Sequence, residues 1–138
     1  MDSICQNGKI VQGVAPQTIN NTHVDGAGID RQGYEAAAFV VSCGAIAGGA
    51  VCSFKVQQSD DDVDGNYADI AGAAKAFTDA QDDLATVIEV GPNNLTKRYV
   101  RLVATNGAAF AAIMGGVGIL LNGRSRPVTQ SLAGVFLP

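Results

Sequence analysis

The chain has no tryptophan, one histidine and three cysteines in 138 residues. Each shortage closes off a class of function. Aromatic residues make up 6% of the chain, too few for a deep ligand pocket walled by rings. One histidine, His23, cannot build a cupin-type metal site, and it has no GxSxG nucleophile elbow to serve. Cys5, Cys43 and Cys52 are odd in number and lack CxxC spacing, so they form neither a disulfide framework nor a zinc site. Buried free thiols in a protein made in a reducing cytosol are expected instead. Charged residues are sparse at 16%, and the net charge is −4. The basic residues are scattered and lack interleaved aromatics, which argues against a nucleic-acid reader.

Long apolar runs are also scarce. GAAFAAIMGGVGILL (107–121) is too short for the roughly 20-residue membrane helix and is broken by Gly115, Gly116 and Gly118. It reads as a buried strand with a glycine bulge or bend, so no membrane partner is expected. MDSICQNGKI has no basic stretch followed by an apolar one, so no signal peptide is expected.

What is present is a succession of short strands separated by Gly, Asn and Asp turns. KIVQGVAP (9–16) and TINNTHV (18–24) read as two strands. In YEAAAFVVSCGAI (34–46), Phe39, Val41 and Cys43 share one face, because strand side chains alternate. Gly48-Gly49 predicts a hairpin into AVCSFKVQQ (50–58), where Cys52, Phe54 and Val56 share a face. In that hairpin Cys43 would lie opposite Phe54, and the two thiols would be diagonal neighbours. YADIAG (67–72) and TVIEVG (86–91) are further strands. Between them, Thr78 followed by Gln81 makes a capping-box pattern, which allows one short helix near 78–85. RYVRLVAT (98–105) puts Val100, Leu102 and Ala104 inward, with Tyr99, Arg101 and Val103 outward. Seven or eight strands without intervening long helices predict an all-β antiparallel sandwich or jelly roll. Residues 1–16 are expected to form an N-terminal arm, 17–127 the sandwich and 128–138 an apolar C-terminal arm.

The stretch that looks most like chemistry is QQSDDDVDGNYADI (57–70). Asp60, Asp62, Asp64 and Gly65 match the opening of a calcium-binding EF-hand loop, but the closing position, which needs a bidentate acid, is Ala71. The flanks read as strands. A solvated turn is therefore expected, with a hydrated Ca²⁺ contact at Asp60, Asp62 and Asp64 left open. No catalytic set assembles. His23 lacks a nucleophile, because Cys43 and Cys52 fall on an apolar face where thiols are inert. The chain is expected not to be an enzyme and to need no cofactor.

Three pieces together resemble small β-rich structural proteins of tailed bacteriophages: DRQGYE (30–35), VQQSDDD (56–62) and KRYVRLV (97–103), in that order. The resemblance covers roughly residues 25–127 and includes jelly-roll capsid decoration, or cement, proteins. It implies a homo-oligomer, dimer or trimer, clamped over joints between major capsid subunits on the capsid surface, after synthesis in the bacterial cytoplasm. Candidate partner-binding residues are Ile4, Val11 and Val14 in the N-terminal arm, and Arg124 and Arg126 at a rim that Lys97 and Arg98 could share. Leu132, Val135, Phe136 and Leu137 in the C-terminal arm complete the set. Apolar residues at a terminus usually need something to cover them. The alternative reading is a tail or fibre module that binds a host glycan, with Tyr34, Tyr67 and Tyr99 as its only exposed-ring candidates.

Overall fold

The computed structural model describes residues 3–47, 51–126, 128–130, 132 and 134. The all-β sandwich expected from the sequence is the fold. Its strands are β1 (Lys9–Asp25), β2 (Ile29–Asp30), β3 (Ala36–Cys43), β4 (Cys52–Ser59), β5 (Ala68–Phe77), β6 (Ala85–Val90) and β7 (Tyr99–Leu121). They form one hydrogen-bonded sheet in the order β5-β4-β7-β3-β6, with β1 and β2 on the other edge of β7. All pairings are antiparallel.

Two long strands make the sheet into two layers. The first part of β7 pairs with β4, from Ser59↔Tyr99 to Cys52↔Asn106. The last part pairs with β3, from Cys43↔Met114 to Ala36↔Leu121. β1 follows β7 along both parts, from Lys9↔Leu120 to Asp25↔Val103. The corner lies where Asn20↔Ala111 gives way to Thr22↔Asn106. Asn21 takes the left-handed conformation there, with φ 49°. The buried Asn106 side chain holds the corner, donating through Nδ2 to the carbonyls of Ile19 and Phe110, each at 2.8 Å.

The layers meet face to face. A Cβ on Gly116 would press on Leu102 from the first layer and Val41 from the second. The inward sets predicted from alternation are all buried: Phe39, Val41 and Cys43; Cys52, Phe54 and Val56; Val100, Leu102 and Ala104. Phe54 and Phe77 close one end of the core in a T-shaped contact, centroids 6.0 Å apart.

Several local expectations are corrected. β3 and β4 are not a hairpin. Both edges of β3 are occupied, by β6 and β7, and β4 pairs with β5 and β7. The Gly48-Gly49 turn itself lies outside the described residues. Cys43 and Cys52 therefore approach each other across the core rather than along a sheet: Cys43 pairs with Met114, whereas Cys52 pairs with Phe77 and Asn106.

The segments 9–16 and 18–24 are one strand, so the arm boundary at residue 16 falls inside β1. Pro16 fits because it lies on an edge strand, where a missing N–H need not break a ladder. RYVRLVAT and the glycine-rich run are likewise one strand. The register along β3 runs unbroken past Gly115, Gly116 and Gly118, and the irregularities sit in β1, at Gln12/Val14 and Val14/Gln17. The glycines make room for neighbours. A Cβ on Gly118 would strike the Phe39 ring and Val11.

The helix near 78–85 is a single 3-10 turn, Asp79–Gln81, with the Thr78–Gln81 capping box formed. A four-residue helix not foreseen from sequence, α1 (Ile4–Asn7), precedes β1 and is capped by Ser3. Among the described residues no helix is long and apolar enough to cross a membrane.

Candidate functional site

The acidic loop is built from inside the chain. β4 ends at Ser59, and the loop returns through a 3-10 turn at Asp64–Asn66 into β5. Each of its carboxylates has its own partner. Lys97 Nζ donates to Asp60 at 2.6 Å. Asp61 accepts from Asn66 Nδ2 at 3.0 and 3.1 Å and from the Ser59 hydroxyl at 3.1 Å. The Tyr67 hydroxyl donates to Asp62 at 2.7 Å. Asp64 lies 2.5 Å from Arg101 Nη1. Asp60, Asp62 and Asp64 thus point at three different partners instead of one centre. Among the described residues no three His, Cys, Asp or Glu side chains gather around a point that could hold a metal ion.

Arg101 was expected outward, and it does leave the core face. It is nonetheless only 8% exposed. Gln57 Oε1 accepts from its Nε at 2.8 Å, Asp25 lies 3.6 Å from Nη1, and the guanidinium sits 4.3 Å from the centre of the Tyr67 ring. Desolvation, and then the bond to Asp62, push the Tyr67 hydroxyl well above its ordinary value. The loop is thereby pinned to the outer face of the first layer by a stacked arginine.

The three motifs that carry the phage resemblance interlock at one end of the sandwich. Arg98 forks onto Asp30 at 3.1 and 2.8 Å. That fork, before other causes, holds the Asp30 carboxyl below its usual range. The Arg31 backbone N–H donates to the Arg98 carbonyl at 3.0 Å. Gln58 Oε1 accepts from the N–H groups of Thr96 and Lys97 at 2.9 and 3.2 Å. The Lys97–Asp60 pair joins the acidic loop to the same cluster.

Beside this cluster lies an open groove of about 410 Å³, lined by Arg31, Tyr34, Thr96, Arg98 and Arg124 among others. Of the four cations named from the sequence, Arg98 and Arg124 line this groove and Lys97 does not. Arg126 is exposed but does not line the groove. Arg31 is the member that sequence reading passed over, because nothing in DRQGYE marks which charge lacks a counterion.

The other sequence-derived contact residues are spread out. Ile4 is 56% exposed, Val11 is half-buried against the core, and Val14 is 1% exposed and belongs to the core. Leu132 is exposed, while Val135, Phe136 and Leu137 lie outside the described residues. The start of the C-terminal segment meets the N-terminal one. The Val128 N–H donates to the Gln6 carbonyl at 3.0 Å, and Gln130 accepts from Ile10 N–H at 2.9 Å while donating to the Cys5 and Gly8 carbonyls. His23 stands in the open, 4.0 Å from Asp25.

One surface was missed in the sequence. On the outer face of the second layer, Val87, Val40 and Val117 stand side by side on β6, β3 and β7. Val87 is 57% exposed, and Ile113, further along β7, is 62% exposed. The signal was available. Assigning Phe39 and Val41 inward leaves Val40 outward, and the same alternation turns Val87 and Val117 to water.

No family model matches this chain, and no curated protein matches it. Solved structures do. The PBSX exported protein XepA matches with a TM-score of 0.64 at 13% identity, over 100% of this chain and 45% of that one. The chain thus spans less than half the length of XepA and shares its fold. A chain of infectious bursal disease virus, Gt strain, matches at TM-score 0.47 and 9% identity, over 84% of this chain and 32% of that one. PirA matches at 0.39 and 10%, over 88% and 97%.

Proposed function

We propose that the chain is a structural protein of a bacteriophage particle, acting as a capsid decoration protein that binds across major capsid subunits as a dimer or trimer. On this reading it works by surface contact and catalyses no reaction, and its place is the capsid surface. The observation that carries the reading is the row Val87–Val40–Val117, with Ile113 beside it. Such a contiguous apolar face on a finished sandwich is characteristic of a part made to be covered. The interlock of DRQGYE, VQQSDDD and KRYVRLV adds support, since the residues behind the phage resemblance act as one structural unit. The fold shared with XepA is in keeping with it. A host-glycan module has less to rest on, because Tyr67 and Tyr99 already carry the guanidinium groups of Arg101 and Arg98 on their rings.

The test is electron microscopy and heat challenge of phage heads assembled with and without the chain. Ordered extra density and a higher rupture temperature in its presence are expected. Heads that bind none of the purified chain would overturn the reading.

A further inference from the structure

We infer that the groove between Arg31 and Arg124 is a docking site for an acidic polypeptide segment, recognised through Asp or Glu carboxylates. The inference deepens the proposed function by naming the chemistry of one contact, and it rests on that reading for the identity of the partner.

The case starts from an imbalance of charge. Lys97 has Asp60, Arg98 has Asp30, and Arg101 has Asp64 and Asp25. Arg31 has no carboxylate partner among the described residues. Its Nε donates to the Lys97 carbonyl and its Nη1 to the Tyr34 carbonyl at 2.9 Å. Those bonds fix the plane of the guanidinium without neutralising it. Nη2 makes no bond to a described residue, and no buried polar side-chain atom is left without a partner, so Nη2 reaches solvent. Desolvation lowers the affinity of Arg31 for its proton, the mark of a half-buried cation without a counterion.

A second unpaired cation faces the same space. Arg124 is exposed, and its side chain bonds to no described residue. Its backbone is held, since its N–H donates to the Gly33 carbonyl at 2.9 Å. Gly33 reaches that position through a left-handed turn, φ 90°, that also sets Tyr34 at the groove wall. The site therefore offers the free Nη2 of one fixed guanidinium, one exposed guanidinium and a ring, and the carboxylate that also lines it, Asp60, is neutralised by Lys97.

Planar guanidinium forks match carboxylates in pairs of parallel hydrogen bonds. A long polyanion such as nucleic acid fits less well, because the chain as a whole carries −4 and repels it outside this one groove. A short acidic segment of a protein meets only the local charge.

The experiment is an NMR titration of the intact chain with the capped peptide acetyl-Glu-Glu-Glu-Glu-amide at roughly 50 mM salt, where screening is weak. Backbone amides of Gly33, Thr96 and Arg124 should shift. R124E should weaken binding about tenfold, whereas R126E, outside the groove, should change it by less than about twofold. Shifts absent from the groove, equal losses in R124E and R126E, or equally strong binding of inorganic phosphate would overturn the inference. Occupancy on phage heads separates it from the function it deepens. If wild-type chain binds heads and R124E binds them equally well, the groove falls and the decoration reading stands. If wild-type chain ignores heads yet takes up the peptide through Arg124, the decoration reading falls and the groove stands.

Discussion

Single residues in this chain are constrained by how closely backbones approach. Gly26 is the sharpest case. A Cβ there would fall inside 3 Å of the carbonyl oxygens of Gly13 and Leu102, both main-chain atoms that cannot swing away. Gly65 has nothing within 4 Å and no left-handed conformation to protect. Gly26→Ala should therefore cost about 3 kcal/mol or more in urea unfolding, and Gly65→Ala should stay within about 0.5 kcal/mol of wild type. Cys43 makes a different claim. Burial first, and then the neighbouring Cys52 thiol, raise it from 9.0 to about 12. The native state thus keeps a proton that the unfolded chain releases near pH 9. This contribution is intact below that pH and fades as pH rises toward 12, so the midpoint of urea unfolding should fall across that interval. Cys43→Ala should flatten the fall, while thiol reagents at neutral pH should label Cys5 and spare Cys43 and Cys52 until the chain unfolds.

At the scale of elements, the corner shared by β1 and β7 is the joint of the fold. Asn106 bonds the carbonyls of Ile19 and Phe110 in a fully buried position. Asn106→Ala leaves both carbonyls short of a donor and should lower stability by about 2–3 kcal/mol in chemical denaturation. Most elements were legible in the sequence because period-two alternation is local. Phe39/Val41/Cys43, Cys52/Phe54/Val56 and Val100/Leu102/Ala104 all face the core as their spacing predicts. Pairing was not legible, because it is decided far away. Gly48-Gly49 carries a hairpin signal, yet β3 takes β6 and β7 as neighbours. RYVRLVAT (98–105) and GAAFAAIMGGVGILL (107–121) read as separate strands and are parts of one, Tyr99–Leu121. The acidic stretch connects β4 to β5, where the strand patterns on either side place a turn. That its carboxylates would be shared out among Lys97, Asn66, Tyr67 and Arg101 depended on residues up to 37 positions away.

For the whole molecule, two surfaces carry the proposals: the apolar face of the second layer and the groove at the motif end. They differ in chemistry and should answer to different variants. Val117 is 38% exposed on a regular strand, so Val117→Lys should leave stability within about 0.5 kcal/mol. It should nonetheless lower the mass seen by sedimentation equilibrium if the apolar face joins copies of the chain, or lower head occupancy if that face lies on the shell. A variant that changes neither would remove the apolar face from the proposed function.

The pairing of β1 with the far part of β7 has a consequence for biosynthesis. Lys9 meets Leu120, and Ile19 meets Ala112. A ribosome must therefore reach β7 before the first long strand has anything to zip onto, whereas β3 can pair with β6, and β4 with β5, earlier. Until then β1, with its β-branched residues, stays unmated. Chaperone demand should accordingly be concentrated in the interval before residues 111–121 clear the exit tunnel.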